Sequence, residues 1–424
     1  MVYFALHDPR AFLSQLNINV IRLGLGPISR LLTSLGNPHR TFPSVLIGGT
    51  NGKGSIAATL ASVLSASSLK TGLYTSPHLV DIRERIRIDG EMISDGELDN
   101  LIDEVARSVK EEITYFEFLT ALAFLYFQRK KIDIAVLEVG LGGRLDATNV
   151  VSPLVAIISN ISLEHQRLLG RRLTEIAREK GGIIKEGGIL ITGARQKKVL
   201  SLLREICEEK GAKLLRLGKE FRIRPEPDGT FTFFSQYGKM TSLSTPLVGR
   251  HQKENAALAL AAAEILRERG FPINEESIRE GLKKTRWEGR LEVLRSSPLL
   301  VVDGGHNPAG MTALVDTLKR DFTYRHLILI FGALDDKNYS SMLKKILPLT
   351  SFTIVTEPDT PRAVPASCLA ETASRLHPFV EVSPKPGEAL NRALAMANPD
   401  DLILATGSLY LVGEIKKIFG KSTG

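Results

Sequence analysis

The chain has 424 residues, of which 43% are hydrophobic and 24% are charged; this composition is typical of a soluble globular protein, and the length favours two domains. Cys207 and Cys368 lie far apart, which excludes a disulfide framework and a cysteine-based zinc site. No apolar run reaches about 18 residues and no signal-peptide pattern is present, so we expect a cytoplasmic protein without a membrane-spanning helix. The formal net charge of +8 suits small anionic substrates as well as nucleic acid, but the basic residues are dispersed and lack interleaved aromatic residues.

The first part of the chain alternates short apolar segments with helical patterns, which predicts an α/β fold with a mainly parallel sheet. Residues 221–243 instead alternate around Pro227-Asp228-Gly229, which predicts a small antiparallel β-hairpin. An Ala- and Leu-rich stretch from Asn255 to Leu266 predicts a buried helix. The predicted strands are Val45–Gly49, Gly72–Thr75, Ile134–Val139, Val155–Ser159 and Ile189–Thr192, and the predicted helices include Asp95–Lys110 and Glu117–Arg129.

A second α/β alternation begins near Leu291. The segment Trp287–Arg290 is the predicted junction, which gives an N-terminal domain over residues 1–289 and a C-terminal domain over residues 290–424. The strands predicted for the second domain are Leu299–Asp303, Leu327–Phe331, Phe352–Thr356 and Leu402–Ala405.

A glycine-rich segment, Gly49-Thr50-Asn51-Gly52-Lys53-Gly54-Ser55, directly follows the first predicted strand and precedes a helical pattern. In such a turn, backbone N–H groups approach phosphate oxygens, the helix N-terminus favours negative charge, and a lysine neutralises the phosphates. The spacing departs from the usual G-x-x-x-x-G-K-[ST] motif, since Gly54 separates Lys53 from Ser55. The segment, called the phosphate loop below, therefore predicts a nucleotide site of the kind found in one group of ATP-dependent ligases.

Three other strand ends carry polar side chains toward the same sheet edge. Glu138 lies at the end of one predicted strand, Ser76 follows a second, and His165 follows a third. Ligands of α/β sheets bind at the carboxyl ends of the strands, and Mg²⁺ prefers carboxylate and phosphate oxygens. Next to a phosphate loop, these residues predict a metal site, and we expect Glu138 and His165 to converge only if their strands are neighbours in the sheet.

In order and spacing, these and further motifs resemble the folylpolyglutamate synthase/dihydrofolate synthase family, within the broader Mur-type ATP-dependent amide ligases. The resemblance covers nearly the whole chain and implies a P-loop-type N-terminal ATP-binding domain with a small β appendage, plus a smaller Rossmann-like C-terminal α/β ligase domain. It rests on Gly49–Ser55, Ser76–Leu79, Tyr115–Glu117, Glu138–Asn149, His165–Gly170, Ala177–Lys180, Gln252–Asn255, Gly289–Arg290, Asp303–Pro308 and Gly407–Tyr410.

The resemblance implies roles at the ATP and metal sites, carried over to the matching positions. The implied catalytic residues are Lys53, Lys180 and His306, with His306 beside the reacting phosphate and the incoming glutamate. The implied ATP-binding residues are Thr50, Asn51, Gly52, Lys53, Gly54 and Ser55 at the phosphates, Asn255 at adenine, Arg290 at the phosphates and Asp303 at the ribose. Two Mg²⁺ ions are implied, with ligands Ser76 and Glu138 for the first, and Glu138, His165 and a carbamylated Lys180 for the second.

The pteroate end of the substrate is implied to bind at Thr114, Phe116, Leu145 and Asp146. The chain departs from the family pattern at a few positions. Arg22 stands where an aspartate near the pterin site is frequent, Glu164 where aspartate is common, Glu288 in place of a frequent proline, and Gly305 in place of the usual alanine.

The implied function is the ATP-dependent joining of L-glutamate to the terminal carboxylate of dihydropteroate and/or (tetrahydro)folyl-(poly)glutamate through an acyl phosphate, in a bifunctional enzyme. A folylpolyglutamate synthase alone, or another Mur-type amino-acid ligase, is the alternative. A peptidoglycan-type enzyme has no room for its uridine-nucleotide-binding domain before residue 45, and a small-molecule kinase does not require Asn255, Arg290 and Asp303. We expect small-molecule partners only, without nucleic acid or membrane, a monomer, and domain closure about residues 287–290.

Overall fold

The computed structural model describes residues 9–16, 20 and 22–422, and the chain divides into two compact units. The first unit comprises Met1–His78, Ile82–Pro246 and Lys253–Arg286, and the second comprises Leu79–Asp81, Leu247–Gln252 and Trp287–Gly424. The change of unit after Arg286 lies close to the predicted boundary after residue 289. The sequence offered no reason to assign the two short segments to the second unit. The functional roles of the two predicted domains stay predictions.

The first unit holds eleven strands among its described residues. These are β1 Ser44–Gly48, β2 Thr71–Tyr74, β3 Ile86–Ile88, β4 Glu91–Met92, β5 Ile134–Glu138, β6 Val155–Ile158, β7 Ile189–Thr192, β8 Lys213–Arg216, β9 Arg222–Pro225, β10 Phe231–Ser235 and β11 Gly238–Leu243. Its helices are α1 Pro9–Gln15, α2 Gly26–Ser34, α3 Lys53–Ala66, α4 Asp95–Ser108, α5 Tyr115–Lys130, α6 Gln166–Leu169, α7 Leu173–Gly181, α8 Lys197–Glu209, α9 Arg250–Glu268 and α10 Glu275–Lys284. The first three residues of α9 belong to the second unit.

The main sheet of the first unit has eight strands in the order β4-β3-β2-β5-β1-β6-β7-β8. Strands β2, β5, β1, β6, β7 and β8 run parallel, and β3 and β4 are antiparallel. Val45, Leu46 and Ile47 of β1 are fully buried, as expected of a central strand covered on both faces. The predicted parallel α/β fold is therefore confirmed, with strand ends within a residue of the predicted ones.

The strand adjacency that the sequence argument set as the condition for Glu138 and His165 to converge is not present in the sheet. Strands β5 and β6, which lead to Glu138 and His165, are not neighbours, because β1 pairs with both of them. Their ends are thus two strand spacings apart, about 10 Å.

Two apolar cores cover the faces of this sheet. One core contains the buried faces of α4, α5, α7 and α8, and the other contains those of α3, α9 and α10. In α9, the residues Ala256 to Ala263 are almost fully buried, which confirms the predicted buried helix. These residues lie in the same core as apolar residues of β1, β5 and β6.

The predicted hairpin is part of a three-stranded antiparallel sheet with the order β11-β10-β9. Phe231, Phe233, Met240 and Leu243 are buried on one face of it and join the same core as α9. The appendage therefore extends the first unit's core instead of forming a separate one.

The second unit is a six-stranded sheet with the order β12-β13-β17-β14-β15-β16, in which only β12 is antiparallel. Helices lie on both faces and form two apolar cores. The strands are β12 Glu292–Ser296, β13 Leu299–Asp303, β14 Leu327–Phe331, β15 Phe352–Val355, β16 Val380–Val382 and β17 Leu402–Thr406. The helices are α11 Pro308–Asp321, α12 Tyr339–Ile346, α13 Ala366–Ser374, α14 Pro386–Met396 and α15 Leu409–Ser422. Within the described ranges, no helix combines the length and the apolar character needed to cross a membrane.

Close packing of α10 on α3 generates a stability prediction. A Cβ atom at Gly281 would lie 2.4 Å from the Cα atom of Val63, so Gly281→Ala should lower the free energy of unfolding by about 1–3 kcal/mol through overpacking. Gly96 in α4 has no such neighbour within 4 Å, so Gly96→Ala should leave stability unchanged or raise it by up to about 1 kcal/mol. Urea unfolding followed by far-UV circular dichroism compares the two; equal stability of both variants would contradict the packing argument.

Candidate functional site

The phosphate loop joins the end of β1 to the start of α3. Gly49 has φ 123° and Gly52 has φ 85°, values that favour glycine, and Gly52 is the residue from which α3 begins. Thr50 and Ser55 are buried, and the Nζ atom of Lys53 donates to the carbonyl oxygen of Thr50 at 3.2 Å. The backbone N–H groups of the first turn of α3 thus lie at the end of the loop, as in an anion-binding helix N-terminus.

Asn160 holds this loop in place, which the sequence reasoning missed. The Asn160 carbonyl accepts from the N–H of Thr50 at 2.9 Å, and its side-chain oxygen accepts from the N–H of Asn51 at 3.1 Å. Its side-chain nitrogen donates to the carbonyl of Asn51 at 3.0 Å. Two positions on, the N–H of Ser162 donates to the hydroxyl oxygen of Thr50 at 3.1 Å. The segment after β6 therefore holds the loop through three hydrogen bonds to its backbone and one to the side chain of Thr50.

Asn255 also lies against the phosphate loop. It is buried in α9, and a Cβ atom at Gly52 would come within 2.5 Å of its side-chain oxygen. Glycine at position 52 is therefore required both by backbone conformation and by this close approach. Asn255 is one of the predicted ATP-binding residues, and the fold brings it to the predicted phosphate site.

Lys180 lies beside the phosphate loop as a buried cation. Its Nζ atom donates to the carbonyl oxygen of Gly49 at 2.8 Å and to the carboxylate of Glu164 at 2.7 Å. Burial lowers the pKa of the Lys180 amine, against the opposing effect of Glu164. For Glu164, burial opposes ionisation, but the charges of Lys180 and Lys53 outweigh it and lower the pKa of the carboxyl to about 2. The structure thus places Lys180 beside the phosphate loop. It also identifies Glu164 as the partner of Lys180, whereas the sequence marked Glu164 only as a departure from the family pattern.

Glu138 and Ser76 are also brought together. Glu138 is buried at the carboxyl end of β5, and one of its carboxylate oxygens accepts from the N–H of Ser76 at 3.0 Å. In the part of the chain that the structure describes, no group of three or more His, Cys, Asp or Glu side chains is close enough to hold a metal ion. A carboxylate and a serine hydroxyl are hard oxygen donors, however, and such donors, completed by substrate phosphates, fit Mg²⁺.

His165 follows β6 and precedes α6, with a left-handed backbone conformation at φ 45°. Its charge is among those that lower the pKa of Glu164, so it lies within electrostatic reach of the buried pair of Lys180 and Glu164. Because β1 separates β5 from β6, the sheet does not make His165 and Glu138 direct neighbours. The shared metal site of these two residues stays a prediction.

The predicted pteroate residues lie at one end of α5 and in the segment after β5. Thr114 caps α5 and is buried, and the ring of Phe116 lies against Gly140, where a Cβ atom would meet it at 2.6 Å. Asp146 is buried and accepts hydrogen bonds from the N–H of Leu141 at 2.8 Å and from Thr148. Burial raises the pKa of the Asp146 carboxyl, although these hydrogen bonds and the charge of Lys53 act in the opposite direction.

Leu145 and Arg22 border this region. The carbonyl oxygen of Leu145 accepts from the N–H of Gly24 at 3.4 Å. Arg22 forms an ion pair with Glu112 at 2.8 Å and donates to the Glu112 carbonyl at 3.0 Å. The arginine that departs from the family pattern is therefore tied to the segment that leads to Thr114.

In the second unit, the predicted residues Arg290, Asp303 and His306 gather around Gly304 and Gly305 at the carboxyl end of β13. A Cβ atom at Gly304 would lie 2.5 Å from a guanidinium nitrogen of Arg290. Asp303 accepts from the N–H of Leu291 at 3.0 Å and from the N–H of Gly305 at 2.8 Å. The Nδ1 atom of His306 lies 2.8 Å from the Gly304 carbonyl oxygen. The fold thus groups the three residues, while their contacts with a nucleotide stay predictions.

Comparisons with known proteins agree with this architecture. Residues 47–263 match the Mur ligase middle domain, and residues 289–409 match the glutamate ligase domain of Mur ligases. The folylpolyglutamate synthase of Lacticaseibacillus casei is 37% identical over 412 residues, covering 93% of this chain and 94% of that protein. The dihydrofolate synthase/folylpolyglutamate synthase of Bacillus subtilis is 35% identical and covers 94% of this chain and 95% of that protein.

Solved structures are similar over the same length. The Escherichia coli FolC protein in complex with DHPP and ADP has a TM-score of 0.92 and 31% identity, with 100% of both chains covered. The Mycobacterium tuberculosis folylpolyglutamate synthase complexed with ADP has a TM-score of 0.91 and 33% identity, with 97% of each chain covered. Together with the motifs gathered around the phosphate loop, these similarities show that the chain belongs to the folylpolyglutamate synthase/dihydrofolate synthase family of Mur-type ATP-dependent ligases.

Proposed function

We propose that this chain uses ATP to join L-glutamate to the terminal carboxylate of dihydropteroate and of folyl-(poly)glutamates, as a bifunctional enzyme. The reaction class, ATP-dependent glutamate ligation to folates, follows from family membership. The observation that carries the proposal is that Lys53, Lys180 and Asn255 meet at one phosphate loop. A folylpolyglutamate synthase alone is the second candidate, because the relative from L. casei is named for that activity only.

The chemistry begins with a carboxylate, which is a poor electrophile. The γ-phosphoryl group of ATP moves to the acceptor's terminal carboxylate, which gives an acyl phosphate and ADP. The amine of L-glutamate then attacks the acyl carbon, an amide bond forms, inorganic phosphate leaves and the amine loses a proton. Negative charge is redistributed over the transferring phosphoryl group, so positioned cations and backbone N–H groups supply most of the catalysis.

Lys53 and the backbone N–H groups of the phosphate loop hold the phosphates in this proposal. Glu138 and Ser76 would hold a first Mg²⁺, and Glu138, His165 and Lys180 a second. When bound, the two ions neutralise phosphate charge and polarise the phosphoryl oxygens. The buried carboxylate of Glu138 next to Ser76 supports this assignment through the chemistry of its oxygen donors.

Lys180 would act as a carbamate. A neutral amine adds to carbon dioxide to give a carbamate and a proton, and the new carboxylate replaces a cation by an oxygen ligand. Burial, which lowers the pKa of the Lys180 amine, favours the neutral form that reacts. In the unmodified state, the pairing with Glu164 at 2.7 Å supplies the partner that a buried ammonium requires.

The remaining assignments concern the substrates. Thr114, Phe116, Leu145 and Asp146 would receive the pteroate end. In the second unit, Arg290 would contact the phosphates, Asp303 the ribose, and His306 the reacting phosphate and the glutamate. We place the enzyme in the cytoplasm as a monomer that acts on small molecules alone.

The test of the function is a phosphate-release assay with L-glutamate, in which dihydropteroate and tetrahydrofolate are offered separately. We expect glutamate-dependent phosphate release with both acceptors and products heavier by one glutamyl residue in mass spectrometry. Turnover of tetrahydrofolate alone would reduce the proposal to a folylpolyglutamate synthase. Phosphate release that does not depend on glutamate would contradict the ligase.

Removal of the Lys53 side chain should lower glutamate-dependent phosphate release by ~10²–10³, because a preorganised charge at the transferring phosphoryl group is lost. The exposed Lys283 in α10 provides a matched control, and Lys283→Ala should retain the wild-type rate. Circular dichroism checks that Lys53→Ala is folded. A folded Lys53→Ala variant with near-normal turnover would remove Lys53 from the mechanism.

Substitution of Lys180 separates a carbamate from a structural cation. Lys180→Ala should lose most activity and regain part of it with short-chain carboxylates such as acetate, since these can occupy the place of the carbamate. Lys180→Arg keeps a positive charge opposite Glu164 but cannot be carbamylated, so it should fold and stay inactive. An active Lys180→Arg enzyme would mean that activity requires only the ion pair of residue 180 with Glu164 and no carbamate.

The metal assignment predicts the response to Mg²⁺ concentration. If Glu138 and His165 hold one ion together, each single substitution by alanine should raise the Mg²⁺ concentration for half-maximal rate. The double variant should lose clearly less activity than the losses of the two single variants predict when combined, because the effects of residues that act as one unit are non-additive. Strictly additive losses with an unchanged Mg²⁺ requirement would leave His165 as a structural residue.

A further inference from the structure

The turn that carries Arg290 has an unusual backbone conformation. Gly289 has φ 68° and Leu291 has φ 47°, so the residues on both sides of Arg290 lie in the left-handed region. This region is unfavourable for a bulky residue such as leucine, and a residue stays there only where the surrounding structure imposes it. The turn of residues 289–291, called the junction turn below, therefore depends on contacts with other parts of the second unit.

Backbone hydrogen bonds hold the junction turn at both ends. The N–H of Gly289 donates to a carboxylate oxygen of Glu292 at 2.6 Å, and its carbonyl oxygen accepts from the N–H of Gly304 at 2.8 Å. At the other end of the turn, the N–H of Leu291 donates to the carboxylate of Asp303 at 3.0 Å. Two carboxylates and the start of the loop after β13 thus fix the backbone path of the turn.

Lys416 of α15 is joined to the junction turn through Glu292. Its Nζ atom donates to both carboxylate oxygens of Glu292 at 2.8 Å and to one carboxylate oxygen of Glu288 at 2.5 Å. The Lys416 side chain is only 13% exposed, so water and salt screen it less than a surface lysine. It follows Ile415, which is fully buried in one of the two cores of the second unit. The cation is therefore held at a fixed point of α15.

The ammonium of Lys416 keeps two carboxylates close to each other. Glu288 stands where the family pattern has a frequent proline, so in this chain the cluster has a second anion. Without the cation, the carboxylates of Glu288 and Glu292 would repel each other. Since one oxygen of Glu292 also accepts from the N–H of Gly289, movement of Glu292 would remove a hydrogen bond from the junction turn.

We propose that Lys416 is a positioning residue for nucleotide binding, which holds the guanidinium of Arg290 in place through Glu292 and the junction turn. This inference rests on the proposed role of Arg290 at the phosphates of ATP. The guanidinium lies beside Gly304, where a Cβ atom would come within 2.5 Å of one of its nitrogens. Within the described ranges, no carboxylate forms an ion pair with Arg290. Its charge is thus available for a phosphate, and the junction turn determines where that charge lies.

Lys416→Met removes the cation and keeps an apolar side chain. The KM for ATP and the dissociation constant of a non-hydrolysable ATP analogue should both rise about 5- to 30-fold, because a displaced charge binds phosphate less well. The KM for the pteroate substrate, proposed to bind in the first unit, should stay at the wild-type value. Lys417→Met, at the exposed neighbouring position of α15, is the matched control and should leave all three constants unchanged. Incomplete folding alone would lower the amount of active enzyme without changing these constants.

Combination with Arg290→Ala tests whether Lys416 acts through Arg290. Arg290→Ala should weaken binding of the analogue, and Lys416→Met should then add less than about twofold, because the effects of residues that act as one unit are non-additive. Two effects that multiply, or an unchanged dissociation constant in folded Lys416→Met, would overturn the inference and leave the ligase intact. Wild-type enzyme that binds the analogue but shows no glutamate-dependent phosphate release would overturn the proposed function, while analogue binding by the variants would still decide the role of Lys416.

Discussion

The site of the first unit depends on the fixation of the phosphate loop by groups that lie outside it. A loop with glycines at positions 49, 52 and 54 has a large conformational entropy to lose, so its own residues cannot define one backbone path. Asn160 supplies three hydrogen bonds to Thr50 and Asn51, and Lys180 adds one to the carbonyl of Gly49. These bonds come from the segment that follows β6, the strand next to β1, and from α7. The positions of β6 and α7 therefore help to fix the groups that would meet the phosphates.

The ion pair observed at Lys180 and the carbamate proposed for it exclude each other. As an ammonium it pairs with Glu164; as a carbamate it would place a second negative group beside that carboxylate. Two neighbouring anions in a buried site are unfavourable unless a cation lies between or beside them. Carbamylation and metal binding should therefore stabilise each other, and the ion pair with Glu164 is the arrangement that the same residues adopt in the chain alone.

The sequence predicts the local elements well, because apolar segments such as Val45–Ile47 and the loop after them carry their signal within a few residues. It does not predict which strands pair: β1, which precedes both β5 and β6 in the chain, lies between them in the sheet. The role of Asn160, which holds the phosphate loop in place, was missed for a related reason. An asparagine after a strand reads as an ordinary turn residue, and only its contact with a loop 109 positions away reveals its role. The residues that motifs located, Lys180 and Asn255 among them, do reach the phosphate loop, but the partner Glu164 became visible only through burial.

The charges of the first unit match a substrate that differs at its two ends. Near the phosphate loop lies the cation of Lys53, which suits phosphates and a reacting carboxylate. At the start of α5 and after β5 lie the buried carboxylates of Glu117 and Asp146, which suit N–H donors. Lys53 is close enough to Asp146 for its charge to oppose the rise of the Asp146 pKa that burial causes. A molecule with a hydrogen-bond-donating ring at one end and a carboxylate at the other would complete both sets at once. Recognition of the substrate that receives glutamate therefore depends on this distribution of charge between the two ends of the site as much as on any single contact.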